Sequence, residues 1–109
     1  MLIIEVKDEE QLVKKIPPRH KIWVLDERGE QPSSRDLSLR LQQVYLSGSA
    51  GLTLCVGGAD GHSELLRRRA DYLLGLSKLT LPHRLARLIV LEQIYRAQSI
   101  LDGSPYHRE

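Results

Sequence analysis

Three stretches of the chain concentrate side chains that could hold or transform a ligand. The first is Gly57-Gly58-Ala59-Asp60-Gly61-His62-Ser63, directly after the apolar run Leu52–Val56. Paired glycines at the carboxyl end of a strand let a ligand approach the backbone closely, and a following helix N-terminus offers free amides. An ordinary strand-to-helix turn would carry the same residues, and both readings stay open at this point. The second is Leu76-Ser77-Lys78-Leu79-Thr80-Leu81-Pro82-His83-Arg84, an extended segment running into a helix. His83, Arg84 and Arg87 crowd that helix's first turn, where positive charge is unfavourable. Cations placed there point to a bound phosphate or carboxylate. The plain alternative is a set of exposed arginines, each costing about a few tenths of a kcal/mol. The third is the tail Ser104-Pro105-Tyr106-His107-Arg108-Glu109. An aromatic, an imidazole and a guanidinium suit stacking on a base and pairing with a phosphate. By default, a polar terminus of this kind is disordered. The Arg67-Arg68-Arg69 run fans over about 200° of a helix and reads as a solvated surface.

Other chemistries are set aside. There is no Gly-x-x-x-x-Gly-Lys loop and no Gly-x-Gly-x-x-Gly fingerprint. Ser49, in Ser47-Gly48-Ser49-Ala50-Gly51, misses a nucleophile elbow by its first glycine. His20, His62, His83 and His107 show no metal-ligand spacing, so no metal is expected. The lone Cys55 excludes an internal disulfide framework and a CxxC motif, and its apolar run predicts a buried core thiol. No apolar stretch approaches the roughly 18 residues of a membrane span, and Leu2-Ile3-Ile4 turns acidic where a signal peptide would stay apolar. A reducing, cytoplasmic setting without a membrane partner is expected. The net charge of +2 neither demands nor excludes a nucleic-acid partner.

The 109 residues, 41% hydrophobic and 28% charged, predict one small domain able to bury its own core. Strands are predicted at Leu2–Val6, Lys21–Leu25, Leu52–Val56 and Tyr72–Leu76. A short helix is predicted over Glu9–Lys15, with Leu12 inward. Ser33-Ser34-Arg35-Asp36 fits a capping box, and the helix after it should bury Leu37, Leu41, Val44 and Tyr45. Leu65, Leu66 and Ala70 mark a further helix. The last helix starts near Pro82 and ends at Gly103, with Pro105 beyond. This alternation predicts an α/β fold, a mostly parallel sheet with helices on both faces. The strands are apolar throughout, as strands covered on both sides should be. Ligands in such sheets bind past the carboxyl ends of strands, which selects Leu25-Asp26, Gly57–Gly61 and Leu76–Leu81.

The last helix is apolar most of the way round: Leu85, Leu88, Ile89, Val90, Leu91, Ile94, Tyr95, Ala97, Ile100 and Leu101. A surface helix needs one apolar stripe. The second stripe predicts a partner, most simply a second copy in a symmetric homodimer. A charge at Leu91 or Ile94 is then expected to split the dimer or unfold it.

Four motifs occur in one order: Gly57–Ser63, Leu76–His83, Leu91-Glu92-Gln93-Ile94-Tyr95-Arg96-Ala97 and Pro105-Tyr106-His107-Arg108. Together they resemble the RlmH-type large-subunit ribosomal RNA methyltransferases of the SPOUT superfamily, from about Leu2 to the last residue and most closely after Leu52. The resemblance implies a single minimal SPOUT methyltransferase domain over residues 1–109. It implies a C-terminal trefoil knot over about residues 52–109, which holds S-adenosylmethionine, and a homodimer packed through the last helix. It implies methylation of N3 of a pseudouridine in the helix 69 loop of 23S rRNA, on the assembled ribosome. Typical members carry a further leading strand and helix, and a serine where Gly75 stands here.

Carried over by residue, the resemblance implies that Leu25 and Gly57 border the cofactor. Leu76, Ser77, Lys78, Leu79, Thr80 and Leu81 would wrap its adenosine. His83 and Arg108 would lie nearest the chemistry, His83 accepting or orienting a proton and Arg108 holding a phosphate or steadying the base anion. Arg84, Tyr106 and His107 are candidate substrate contacts. Two further readings remain at this point: a non-catalytic dimeric knotted module binding the cofactor or RNA, and a plain α/β interaction domain.

Overall fold

A computed structural model describes residues 2–6, 15–57 and 64–108. Four strands form one parallel sheet in the order β1-β3-β2-β4, with β1 at Leu2–Val6, β2 at His20–Glu30, β3 at Gly51–Gly57 and β4 at Tyr72–Leu74. Helix α1 covers Ser34–Leu46, α2 Glu64–Arg69 and α3 His83–Leu101. All but Lys15 of the short helix expected at Glu9–Lys15 lies outside the described residues. So do residues 58–63 of the glycine-rich stretch.

Both faces of the sheet are covered, which explains the absence of alternation in its strands. On one face Trp23, Leu52, Leu54, Val56, Tyr72 and Leu74 pack under α1 and α3, which contribute Leu37, Leu41, Val44, Val90, Ile94 and Ala97. On the other, Ile22, Val24 and Cys55 meet Leu66 of α2. Burial pushes the Cys55 thiol up to about 11, so it stays a neutral core group.

Helix α1 begins where the capping residues predict: the Ser33 hydroxyl accepts the Asp36 amide at 3.0 Å. The expected burial of Tyr45 is not found. Tyr45 is exposed, its hydroxyl donates to Gln98 Oε1 on α3, and the buried fourth residue is Ser38, which donates to the Arg35 carbonyl. A helical stripe at i, i+4, i+7 already fills this face, and the eighth position rotates out to its edge.

Strand β2 runs on past the expected stop at Leu25. Leu25 and Glu30 both lie opposite Leu74, so residues 26–29 bulge out of the ladder before the strand resumes. Asp26 closes this excursion by accepting the Arg28 amide at 2.8 Å, an Asx-type turn. Strand β4 ends at Leu74, short of the expected Leu76. The Gly75 amide makes the last bond to β2, donating to the Glu30 carbonyl at 2.7 Å, and the chain then leaves the sheet.

Helix α3 ends in a Schellman motif. Gly103 has φ +73°, its amide donates to the Ile100 carbonyl, and the Ser104 amide donates to the Ser99 carbonyl. The two faces of α3 part as the pattern predicts. Val90, Ile94 and Ala97 are buried, while Leu85, Leu88 and Tyr95 are exposed. Ile94 thus belongs to the chain's own core, so a charge there strikes folding first.

Candidate active site at the carboxyl edge of the sheet

The strand register gathers the expected cofactor residues on one edge. Leu25 pairs with Val56 on one side and with Leu74 on the other. Gly57 is one residue past Val56, and Leu76 two past Leu74. With strands about 4.8 Å apart, these positions lie side by side where β3 and β4 end and β2 leaves its regular ladder. Leu25 and Leu76 are both half-buried against the core beneath α1 and α3.

The segment from Gly75 to Pro82 is irregular backbone. Among the described residues, no backbone–backbone hydrogen bond engages residues 76–81. The Ser77 hydroxyl accepts the Leu79 amide at 2.9 Å and turns the chain locally. Ser77 and Leu81 are half-buried, while Lys78, Leu79 and Thr80 are exposed. The edge of a base can therefore meet backbone donors and acceptors here, with leucine side chains beside it.

Two glycines fix how this segment departs. A Cβ at Gly75 would stand 2.7 Å from the Gly29 carbonyl oxygen. One at Gly29 would stand 2.7 Å from the Leu73 carbonyl and 2.8 Å from the Gly75 nitrogen. The backbones of the β2 excursion and the β4 exit touch directly, which only glycine permits. The Gly75 position that departs from the resemblance thus has a local partner in Gly29.

The segment delivers the chain to α3. Pro82 is the N-cap, with no side-chain cap bond, and the first turn holds no acidic residue. His83 and Arg84 are exposed there. The first amides of α3 therefore have no side-chain cap.

The tail, expected by default to be disordered, is pinned. The Tyr106 hydroxyl donates to Glu92 Oε1 at 3.2 Å, and its ring meets Tyr95 edge-on at 4.8 Å and lies 5.0 Å from the Arg96 guanidinium carbon. Arg96 Nη1 lies 3.2 Å from His107 Nδ1. These anchors are nine to thirteen residues along α3 from His83, about 14–20 Å at 1.5 Å per residue. The strand register therefore sets Leu25 beside Val56 and Leu74, the neighbours of Gly57 and Leu76, and the chain runs on from Leu76 through Leu81 to His83 and Arg84. Tyr106, His107 and Arg108 gather farther along α3.

Sequence reasoning missed two features. Arg67, read as part of a solvated run, is mostly buried against Asp26, its Nε 2.5 Å from Oδ2. Arg68 keeps the solvated reading, exposed beside Glu64 at 3.7 Å. The second is the Glu92–Arg96 pair, signalled in sequence only by its i, i+4 spacing. Among the described residues, no group of three or more His, Cys, Asp or Glu side chains could hold a metal ion, and no helix is long and apolar enough to cross a membrane.

A four-stranded parallel sheet covered by helices on both faces defines an α/β protein. The family model described as "Predicted SPOUT methyltransferase" matches residues 3–107, and the chain belongs to that family. It is similar to proteins named "Ribosomal RNA large subunit methyltransferase H". The one from Chromobacterium violaceum is 47% identical over 102 residues, 94% of this chain and 65% of the relative. The one from Laribacter hongkongensis is 46% identical over 99 residues, 91% and 63%. The one from Paramagnetospirillum magneticum is 41% identical over 105 residues, 96% and 69%. The chain thus spans about two-thirds of the length of these relatives.

Proposed function

We propose that this chain is a S-adenosylmethionine-dependent methyltransferase of large-subunit ribosomal RNA. The observation that carries this reading is the segment 75–82. It leaves β4 one residue past Leu74, the partner of Leu25, keeps residues 76–81 free of backbone–backbone bonds among the described residues, and runs directly into the turn bearing His83. Membership of the SPOUT family and the names of the relatives support it.

The residues present fit such a cofactor. Residues 76–81 would offer peptide groups to the adenine edge, with Leu76, Leu79 and Leu81 against its faces, and Leu25 and Gly57 would border it. The cofactor supplies a methyl group on a sulfonium, whose transfer is an in-line displacement governed by proximity and alignment. The finer reading places the acceptor at N3 of a pseudouridine in the helix 69 loop of 23S rRNA, on the assembled ribosome in the cytoplasm. In that reading His83 takes or orients the N3 proton, and Arg108 holds a phosphate or steadies the charge growing on the base. Arg84, Tyr106 and His107 contact RNA. Residues 1–109 act as one domain whose C-terminal part, about 52–109, is threaded as a trefoil knot.

The working form in this reading is a homodimer. The exposed Leu85, Leu88 and Tyr95 on α3 form the face a second copy would cover. His83 and the anchored tail lie apart on one helix, so a partner's tail completing the pocket reconciles their roles. With a net charge of only +2, recognition leans on the folded ribosome surface more than on phosphate contacts.

The test is incubation with labelled S-adenosylmethionine and ribosomes lacking this methyl group. Label at the pseudouridine supports the reading. Cofactor binding without transfer would replace it with a binding module. Absence of heat and thermal shift with S-adenosylhomocysteine would leave an α/β interaction domain. His83→Ala should fold, bind cofactor and lose transfer.

A further inference from the structure

The pinned tail has a cause that can be followed from the backbone outward. Pro105 cannot continue a helix, and the αL glycine at 103 reverses the chain at the end of α3. A Cβ at Gly103 would meet nothing within 4 Å, so the glycine serves the reversal and not a close contact. The tail is thereby sent back along α3, past the face that presents Glu92, Tyr95 and Arg96.

That face holds Tyr106 from three sides, through its hydroxyl, its ring edge and its ring face. Glu92 Oε1 accepts from Arg96 Nε at 3.0 Å, from Arg96 Nη2 at 2.6 Å and from Tyr106 at 3.2 Å, while Oε2 accepts from Gln93 Nε2 at 2.9 Å. The Arg96 hydrogen bonds hold the Glu92 carboxyl below the usual carboxylate range. Arg96 directs its remaining nitrogen, Nη1, to His107 Nδ1. An arginine only donates, so Nδ1 is the acceptor in this contact. One planar guanidinium thus bridges its own helix to the tail residue immediately before Arg108. Lysine, a point charge without a fork, cannot make both contacts.

An exposed i, i+4 pair contributes little to helix stability. This one is only partly exposed and gathers three further partners, Gln93, Tyr106 and His107. Its geometry is suited to placing a peptide, more than to holding α3 together.

We propose that Glu92 and Arg96 are positioning residues that clasp the C-terminal tail to α3, giving Arg108 one defined place relative to the helix. The inference rests on the reading of Arg108 as a contact to the methyl acceptor, but the clasp itself can be measured without it.

The experiment compares the whole chain with Glu92→Gln, Arg96→Lys and Tyr106→Leu, the last lying in the exposed tail and leaving the core untouched. Backbone 15N relaxation at Tyr106, His107 and Arg108 reads the clasp. The unsubstituted tail should be as rigid as α3, and each variant should loosen it to the mobility of a free terminus. Thermal midpoints should shift by no more than a few degrees, and affinity for S-adenosylhomocysteine should hold within about twofold, because residues 76–81 are elsewhere. In methyl transfer to ribosomes, kcat should fall by about tenfold or more in Glu92→Gln and Arg96→Lys, while Tyr106→Leu, itself a candidate RNA contact, is read only for tail mobility. A tail already mobile in the unsubstituted chain, or variants whose tail stays rigid, would overturn the clasp. A loosened tail with unchanged kcat would overturn its positioning role. If the unsubstituted chain transfers no methyl group, the functional reading fails and the relaxation data still decide the clasp.

Discussion

The Asp26 carboxylate, with only 2% of its side chain exposed, meets Arg67 Nε at 2.5 Å across 41 residues of sequence. It also accepts the Arg28 amide through its other oxygen. One buried acid thus shapes the β2 excursion beside Leu25 and anchors α2 over the sheet. The pair ties the excursion of β2 to helix α2.

Arg67→Met should be markedly destabilising, because it leaves the buried Asp26 charge with the Arg28 amide and only the exposed Arg28 guanidinium, 3.8 Å away, as partners. A loss of about 2 kcal/mol or more is expected. Urea unfolding measures it. Adding Asp26→Asn to the same chain should recover part of the loss, since the pair and not either residue alone is at stake. Equal stability of Arg67→Met and the unsubstituted chain would contradict the buried pairing.

Gly29→Ala drives a methyl group into the Leu73 carbonyl and the Gly75 amide, neither of which is a flexible side-chain end. Relief requires the β4 exit to move. About 1–3 kcal/mol of stability should be lost. Affinity for S-adenosylhomocysteine, measured by calorimetry, should fall with it, since the displaced backbone leads straight into residues 76–81. Gly48→Ala has open space around its Cβ but keeps a φ of +76°, so it should cost only backbone strain and spare the cofactor site.

Tyr72 gives the fold an alkaline limit. Burial, and then the hydrogen bond to Glu30 Oε1 at 3.0 Å, raise its hydroxyl from 10 to about 12. Arg40, above the ring at 4.5 Å, works against this rise. The folded chain keeps this proton where the unfolded chain releases it. The contribution is therefore complete below pH 10 and is lost as pH rises to about 12. Denaturation midpoints should fall across that window, and Tyr72→Phe should flatten the fall.

The two apolar stripes of α3 call for different outcomes from the same chemistry. Leu88→Glu, on the exposed stripe, should leave a folded chain that sediments as a monomer. Ile94→Lys, in the buried stripe, should unfold it, because an unpaired charge in this core has no partner. Analytical ultracentrifugation with circular dichroism separates the two. An unsubstituted chain that is already monomeric would remove the second copy from the proposed function.

Much of this architecture is written locally. The Ser33 cap, the Pro82 start and Gly103 stop of α3, the apolar strand runs and the two-sided helix follow from spacing within a few residues. Such periodicities set local hydrogen bonding and which side chains share a face. The segment 76–81 and its junction with His83 were legible for the same reason. What the linear order could not carry is which distant groups meet. Arg67 looks like any solvated arginine until β2 and α2 pack and leave Asp26 as its neighbour. Gly75 looks like an arbitrary small residue until Gly29 is folded against it. The tail looks free until the reversal at Gly103 lays Tyr106 across Glu92 and Arg96. Local preferences select elements residue by residue, whereas these contacts exist only once burial and chain reversal have excluded every other arrangement.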